Sequence, residues 1–294
     1  MNDLEQFFAK TVIKVDDALD VALPIPGEAP AIIHEAMRYS VFAGGKRLRP
    51  ILCLVAAEAC GGKFKGAMPA ACAVEMLHTY SLVHDDLPCM DDDDLRRGRA
   101  TCHKVYGEGM AVLCGDALLT QAFAVLSFAK QTKRYSTSQM VKELAYAGGS
   151  LKLIGGQVLD LQGEGRDLTL EDLMTIHQAK TAALLRCSLR LGGMSSNANK
   201  KQLEALSDFG AALGLAFQII DDILDVTQTT QTLGKTAGKD EAVKKATYPS
   251  VIGLEESKAE ARRMTSKAMD SLKVFGKNGK RLREIAEWML MREY

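Results

Sequence analysis

The sequence predicts an all-α protein. Ala, Leu, Met, Glu and Lys, which favour helices, are abundant, while aromatic residues make up only 6% of the 294 positions. No segment shows the apolar–polar alternation that a half-buried strand requires. A hydrophobic content of 47% is ample for a substantial core. With no linker-like composition anywhere, residues 1–294 read as a single domain of helices around a central cavity.

The helices can be justified in order. Leu4 to Leu23 has amphipathic helical spacing and stops at Pro24-Ile25-Pro26-Gly27. A second helix runs to Phe42. Gly44-Gly45-Lys46-Arg47-Leu48-Arg49-Pro50 is a Gly-rich basic turn, and Pro50 is well placed to open a helix over residues 51–60. Pro69 opens another, whose apolar face of Ala73, Met76, Leu77 and Tyr80 leads into Asp85-Asp86. Further helices are predicted over 109–130, 137–162, 170–192, 200–226, 240–255, 257–274 and 278–292. The polar stretch from Thr227 to Lys245 is either a surface loop or a lid over the acidic cluster it follows.

Lys plus Arg and Asp plus Glu both total 37. A net charge of zero provides no general attraction to nucleic acid or an anionic membrane, so no nucleic-acid partner is expected and any polyanion must meet a local patch. The N-terminus is acidic, and no uncharged stretch reaches the roughly 18 apolar residues of a membrane span. No stable membrane insertion is expected. Seven cysteines, scattered through apolar runs without Cys-x-x-Cys spacing, read as reduced core residues of a cytoplasmic protein.

Two acidic clusters stand out, Asp85-Asp86 through Asp91 and Asp221-Asp222 with Asp225. Either could be a solvated acidic face, but carboxylates gathered beside apolar helices are usually held together by a hard divalent cation, Mg²⁺ above all. Asp221 and Asp225 are four apart on one helical face. Asp85 and Asp91 are six apart and about 120° out of phase on a regular helix, so Pro88 must end or bend it to bring them together. Arg96 and Arg97 suit bidentate phosphate binding. Lys46, Arg47 and Arg49 beside two glycines make a possible second diphosphate site without metal. Surface pairing is the simpler account of Asp94 and Arg99.

The strings Phe42–Pro50, Ser81–Arg99, Gly155-Gly156-Gln157-Val158-Leu159-Asp160, Lys180-Thr181 and Phe217–Asp225 resemble, in order, the motifs of trans-isoprenyl diphosphate synthases. The resemblance covers nearly the whole chain and is closest to the bacterial farnesyl diphosphate synthases. It implies the isoprenoid synthase fold, antiparallel helices around an active-site cavity, and a homodimer. It also implies head-to-tail condensation of isopentenyl diphosphate with an allylic diphosphate, dimethylallyl or geranyl, to give farnesyl diphosphate.

Carried over by position, Asp85, Asp86, Asp91, Asp221, Asp222 and Asp225 are the implied Mg²⁺ ligands. Arg96, Lys180 and Lys235 would contact the allylic diphosphate, and Gly45, Lys46, Arg49, His78 and Arg97 would form the isopentenyl diphosphate site. Lys180, Thr181 and Gln218 fall near the developing carbocation, and Lys245 falls at a lid position. Only Arg292 matches the basic tail of some relatives. His84 and Cys89 have ordinary explanations, as a helix-end hydrogen bonder and a small hydrophobe. Tyr80 could be core, but the resemblance makes it the floor that limits product length.

Three rivals follow. A geranylgeranyl diphosphate synthase would share every motif. A non-catalytic subunit of the same type would have no chemical need for both acidic clusters. A terpene cyclase would need no second diphosphate site, which Lys46, Arg49 and Arg97 supply.

Overall fold

The long helix that ends in the first acidic cluster organises the molecule. In a computed structural model the chain is described over residues 2–227 and 246–290. Lys235, Lys245, Arg292 and the lid segment 228–245 lie outside the described residues.

The fold is all-α, as predicted. Four helices precede the acidic loop: α1 (Asp3–Ala22), α2 (Ala31–Val41), α3 (Leu48–Ala59) and α4 (Phe64–Asp85). A two-residue ladder follows, β1 (Leu95–Arg96) with β2 (Arg99–Ala100). Then come α5 (Cys102–Tyr106), α6 (Glu108–Leu126), α7 (Thr137–Gly148), α8 (Leu153–Gly163) and α9 (Leu170–His177). A π-helical turn, Gln178–Ala182, leads into α10 (Ala183–Ser195) and α11 (Lys200–Thr227). The chain resumes with α12 (Tyr248–Ile252) and α13 (Leu254–Ser271), and a 3₁₀ stretch, Leu272–Gly279, leads to α14 (Lys280–Leu290). Capping boxes start α1 at Asn2 and Glu5, α7 at Ser136 and Gln139, and α9 at Thr169 and Asp172, satisfying backbone donors that would otherwise lack partners.

Two buried clusters form the core. One centres on α4 and α6 and includes Met76, Leu77, Leu118 and Met140. The other lies along α11 and α13, with Phe209, Leu213, Ile219, Met264 and Tyr248. Helices α3 and α10 feed both, α3 giving Cys53 and Leu54 to one and Ile51 and Leu52 to the other. Nine of the twelve residues of α3 are therefore buried, which is why its sequence is apolar all round rather than on one stripe.

Several boundaries differ from expectation for identifiable reasons. α4 starts at Phe64, not at Pro69, because Pro69 removes a single intrahelical bond near the helix start while Ala67, Ala70 and Ala71 are buried around it. The expected 137–162 helix is two helices, broken after Gly148-Gly149. The expected 170–192 helix contains the π turn. The β1–β2 hairpin was not expected; Arg97 and Gly98 both take positive φ, 54° and 75°, which closes a tight two-residue turn. Among the described residues one helix, α6, is long and apolar enough to cross a membrane by length and composition, although Asp116 interrupts its uncharged run. It packs along α4 and turns Val112 and Leu113 outward.

Candidate active site

The first acidic cluster forms because α4 stops at Asp85. Past that point the chain folds back on itself: the Asp91 amide donates to the Asp85 carbonyl at 2.8 Å and the Asp92 amide to the Leu87 carbonyl at 3.1 Å, with Pro88 at the bend. Asp91 is thus drawn toward Asp85, as the spacing requires. Burial pushes the Asp85 carboxyl up to about 6, with Asp91 and Asp86 adding and Lys180 and Arg96 opposing. Oxygen donors crowded together and deprived of water fit a hard divalent cation. Asp86 is buried and accepts from Arg96, whose Nε lies 2.9 Å away; Arg96 also reaches Asp93 at 3.2 Å.

Two turns earlier on the same face of α4, His78 meets a cluster of four arginines. Its imidazole is held well below its ordinary value by removal from water and by Arg49, Arg97, Arg96 and Arg47, so it stays neutral. Burial pulls Arg49 down to about 10, opposed by Glu75, and its Nε is buried without a hydrogen-bond partner. A buried guanidinium donor with nothing to bind calls for an anion. Arg97 donates to the Gly44 carbonyl, and a Cβ on Gly45 would stand 2.5 Å from the Arg97 Cζ. Gly45 is therefore the residue that lets Arg97 lie against the turn.

Two expectations need correction here. Arg47 is not a phosphate ligand: it is 3% exposed and binds Asp16 at 2.7 Å and Glu75 at 3.1 Å. Arg99 does not pair with Asp94; it stacks on Tyr39 at 4.6 Å, while Asp94 pairs with Lys104 at 2.7 Å. Lys46 is exposed, with its Nζ 4.7 Å from the Trp288 ring centroid, in a cleft of about 560 Å³ between the N-terminal residues and α14. We expect Arg49→Ala to weaken isopentenyl diphosphate binding by about tenfold or more, the worth of a charge-assisted hydrogen bond, and Lys46→Ala to act the same way. Calorimetry with each substrate alone checks this; equal losses for the allylic diphosphate would reassign the site.

The π turn joins the two acidic clusters. Lys180 is near enough to Asp85 to affect its ionisation and bonds Asp160 of α8 at 2.7 Å. Thr181, the next residue, donates to Gln218 Oε1 at 3.0 Å. Gln218 in turn donates to Asp222 at 3.2 Å. The turn is gripped on both sides: a Cβ on Gly156 would come 2.7 Å from the Lys180 Cα, and one on Gly214 would come 2.6 Å from the Ala182 Cα.

The second cluster sits near the end of α11, with Asp221 half-buried and Asp222 and Asp225 buried. Asp222 also accepts from the Tyr248 amide at 2.9 Å, and Tyr248 stacks on His177 at 5.6 Å. Asp222 therefore ties α11 to α9 and to the chain that resumes at residue 246. Two participants were missed from the sequence: Asp160, which closes the Gly155–Asp160 string and holds Lys180, and Tyr248, for which no local pattern stood out. Asp92, Asp94 and His103 also gather, with ligand atoms within 4.8 Å of one another, beyond the two expected clusters.

Two acidic clusters linked through a lysine-bearing π turn, with a separate guanidinium cluster gathered around His78 of α4, suit an all-α protein to holding two anionic groups. The chain matches the polyprenyl synthetase family model over residues 30–287 and belongs to that family. It is 52% identical to the heterodimeric geranylgeranyl pyrophosphate synthase large subunit 1 of Arabidopsis thaliana, over 88% of this chain and 71% of that one. Its fold matches an FPP/GFPP synthase from Zymomonas mobilis with a TM-score of 0.87 and 35% identity, over 98% and 99% of the two chains. It also matches geranylgeranyl pyrophosphate synthetase from Pyrococcus horikoshii, with a TM-score of 0.89 and 30% identity, over 99% and 100%.

Proposed function

We propose that this protein elongates prenyl diphosphates, joining isopentenyl diphosphate head to tail to an allylic diphosphate, with geranylgeranyl diphosphate as its end product. The observation that carries the reaction class is the pair of unlike anion sites on one face of α4, carboxylate-lined at Asp85 and cationic at His78. Seven residues separate them, about 10.5 Å along the helix axis. An allylic diphosphate would enter through metal, and isopentenyl diphosphate through guanidinium alone.

Mg²⁺ held by Asp85, Asp91 and Asp221 would neutralise charge on the departing diphosphate. Arg96 and Lys180 add donors on that side and are already oriented, by Asp86 and Asp160. Thr181 donates a hydrogen bond to Gln218, which would leave its oxygen lone pairs free to face the allylic cation. Arg49, Arg97 and neutral His78 would hold the second diphosphate so that its double bond attacks that cation. The proton then lost passes to the released diphosphate, and the surrounding apolar helices keep water from the cation. Product analysis after incubation with Mg²⁺, isopentenyl diphosphate and each allylic primer tests the reading; no condensation with any primer overturns it.

The C20 product is supported by the geranylgeranyl synthase names of the Arabidopsis and Pyrococcus relatives. A C15 product is the second reading, favoured by Tyr80. Its ring is 4% exposed and close enough to Asp85 for that carboxylate to add to the upward push of burial on the hydroxyl, to about 12. On the regular helix the ring stands about 7.5 Å along the axis from Asp85 but about 140° around it, packed in the α4–α6 cluster. A residue so far around the helix would border the growing chain from the side rather than squarely beneath the aspartates, which would leave room for a longer chain. In either case Tyr80→Ala is expected to lengthen the product by one or more isoprene units, read by chromatography; an unchanged length would make Tyr80 packing alone.

The protein acts as a homodimer in this reading, with the outward Val112 and Leu113 of α6 covered by a second copy. The heterodimeric name of the Arabidopsis relative supports the alternative of an unlike partner. The mass of the purified chain in solution distinguishes them.

A further inference from the structure

A side chain at Gly115 of α6 would collide with the imidazole of His84 as it stands. A Cβ there would overlap the imidazole of His84, coming 2.8 Å from Cε1 and closer still to other ring atoms. That imidazole is fixed from two directions. Its Nε2 donates to the Val112 carbonyl of α6 at 2.9 Å. Its ring meets the Tyr80 ring edge to face, with centroids 5.8 Å apart and planes at 86°. Tyr80 lies one turn before His84 on α4 and is buried, and its hydroxyl has no hydrogen-bond partner. Packing alone therefore sets the angle of the phenol, and His84 is the ring packed against it.

We propose that His84 and Gly115 are positioning residues for product length: Gly115 opens the space in α6 that seats His84, and His84 holds Tyr80 in its place at the side of the cavity. This rests on the prenyl-elongating reading above. Neither residue needs to touch the reacting atoms. His84→Ala removes the backing ring, so the phenol relaxes toward α6 and the cavity deepens. Gly115→Ala does the reverse, driving the imidazole off α6 and toward Tyr80. Ala is the better helix former of the two, so any loss in Gly115→Ala comes from the clash and not from the helix.

The test compares product profiles of wild type, His84→Ala, Gly115→Ala and the double variant, with total consumption of isopentenyl diphosphate measured alongside. In His84→Ala the ratio of longer product to wild-type product should rise by about tenfold, the discrimination carried by a small change in an apolar pocket. Gly115→Ala should shift the profile toward shorter products. In the double variant the new methyl occupies part of the space left by the imidazole, and the profile should move back toward wild type. His84→Ala only removes atoms, so the test survives if Gly115→Ala fails to fold. Normal consumption with a His84→Ala ratio within twofold of wild type overturns this inference alone. Absence of consumption by wild type overturns the prenyl-elongating reading and this inference together.

Discussion

Replacing Asp85 or Asp221 by Ala is expected to lower turnover by at least about a hundredfold, the scale of losing one preorganised electrostatic group in a catalytic site, while the protein stays folded. The two halves of this expectation come from the same environment. Asp85 sits where burial pushes its carboxyl up to about 6, so the folded state carries an ionised group against its own preference at neutral pH. A carboxyl raised on folding binds its proton more readily in the native state, so stability falls as pH rises from about 4 through 6. Removing the carboxylate relieves that cost. Melting of metal-free Asp85→Ala at pH 7 should thus be no lower than wild type and should lose part of the pH dependence. Chelation with EDTA should reproduce the loss of turnover in the unmutated protein. Full activity in EDTA or in either variant would disprove the metal-dependent reading of the clusters.

The division between what was legible and what was not follows the range of the interactions. Helix type and approximate order depend on local spacing and composition, and α1, α2 and α11 fall within a residue or so of expectation. The bend after Asp85 was also local, because Pro88 lies within the loop it shapes. Arg47 was misread because nothing in Gly44–Pro50 indicates that its left-handed backbone, φ 48°, sends the side chain inward to Asp16 and Glu75, 31 and 28 residues away. The π turn was invisible for a similar reason. Its residues have no unusual propensity, and its geometry is defined by what lies on either side, Gly156 and Gly214. Even so, Gly155–Asp160 and Lys180-Thr181 both stood out as separate strings. The structure shows that they are the two faces of one contact, with Asp160 bound to Lys180.

That contact makes Gly156→Ala a strongly damaging single methyl, and one whose damage falls on the site. The added carbon would stand 2.7 Å from the Lys180 Cα and 2.9 Å from the Ala179 carbonyl carbon, both backbone atoms, so no side-chain rotation can relieve it. Either α8 or the π turn must move. Overpacking of this kind costs about 1–3 kcal/mol of stability. The functional cost is larger, because the turn carries Lys180 toward Asp85 and Thr181 toward Gln218, and misplacing such groups by about 1 Å costs on the order of a hundredfold in rate. Gly109→Ala is the control: it places the same methyl in a helix where nothing lies within 4 Å, and it should leave both stability and turnover near wild type. Comparison with Lys180→Gln separates the causes. If the turn is displaced as a unit, Gly156→Ala should match or exceed the turnover loss of Lys180→Gln and also lower the melting temperature, which Lys180→Gln should change less. A folded Gly156→Ala with wild-type turnover would show that α8 yields instead, and that the spacing between Gly156 and the π turn is not what places Lys180.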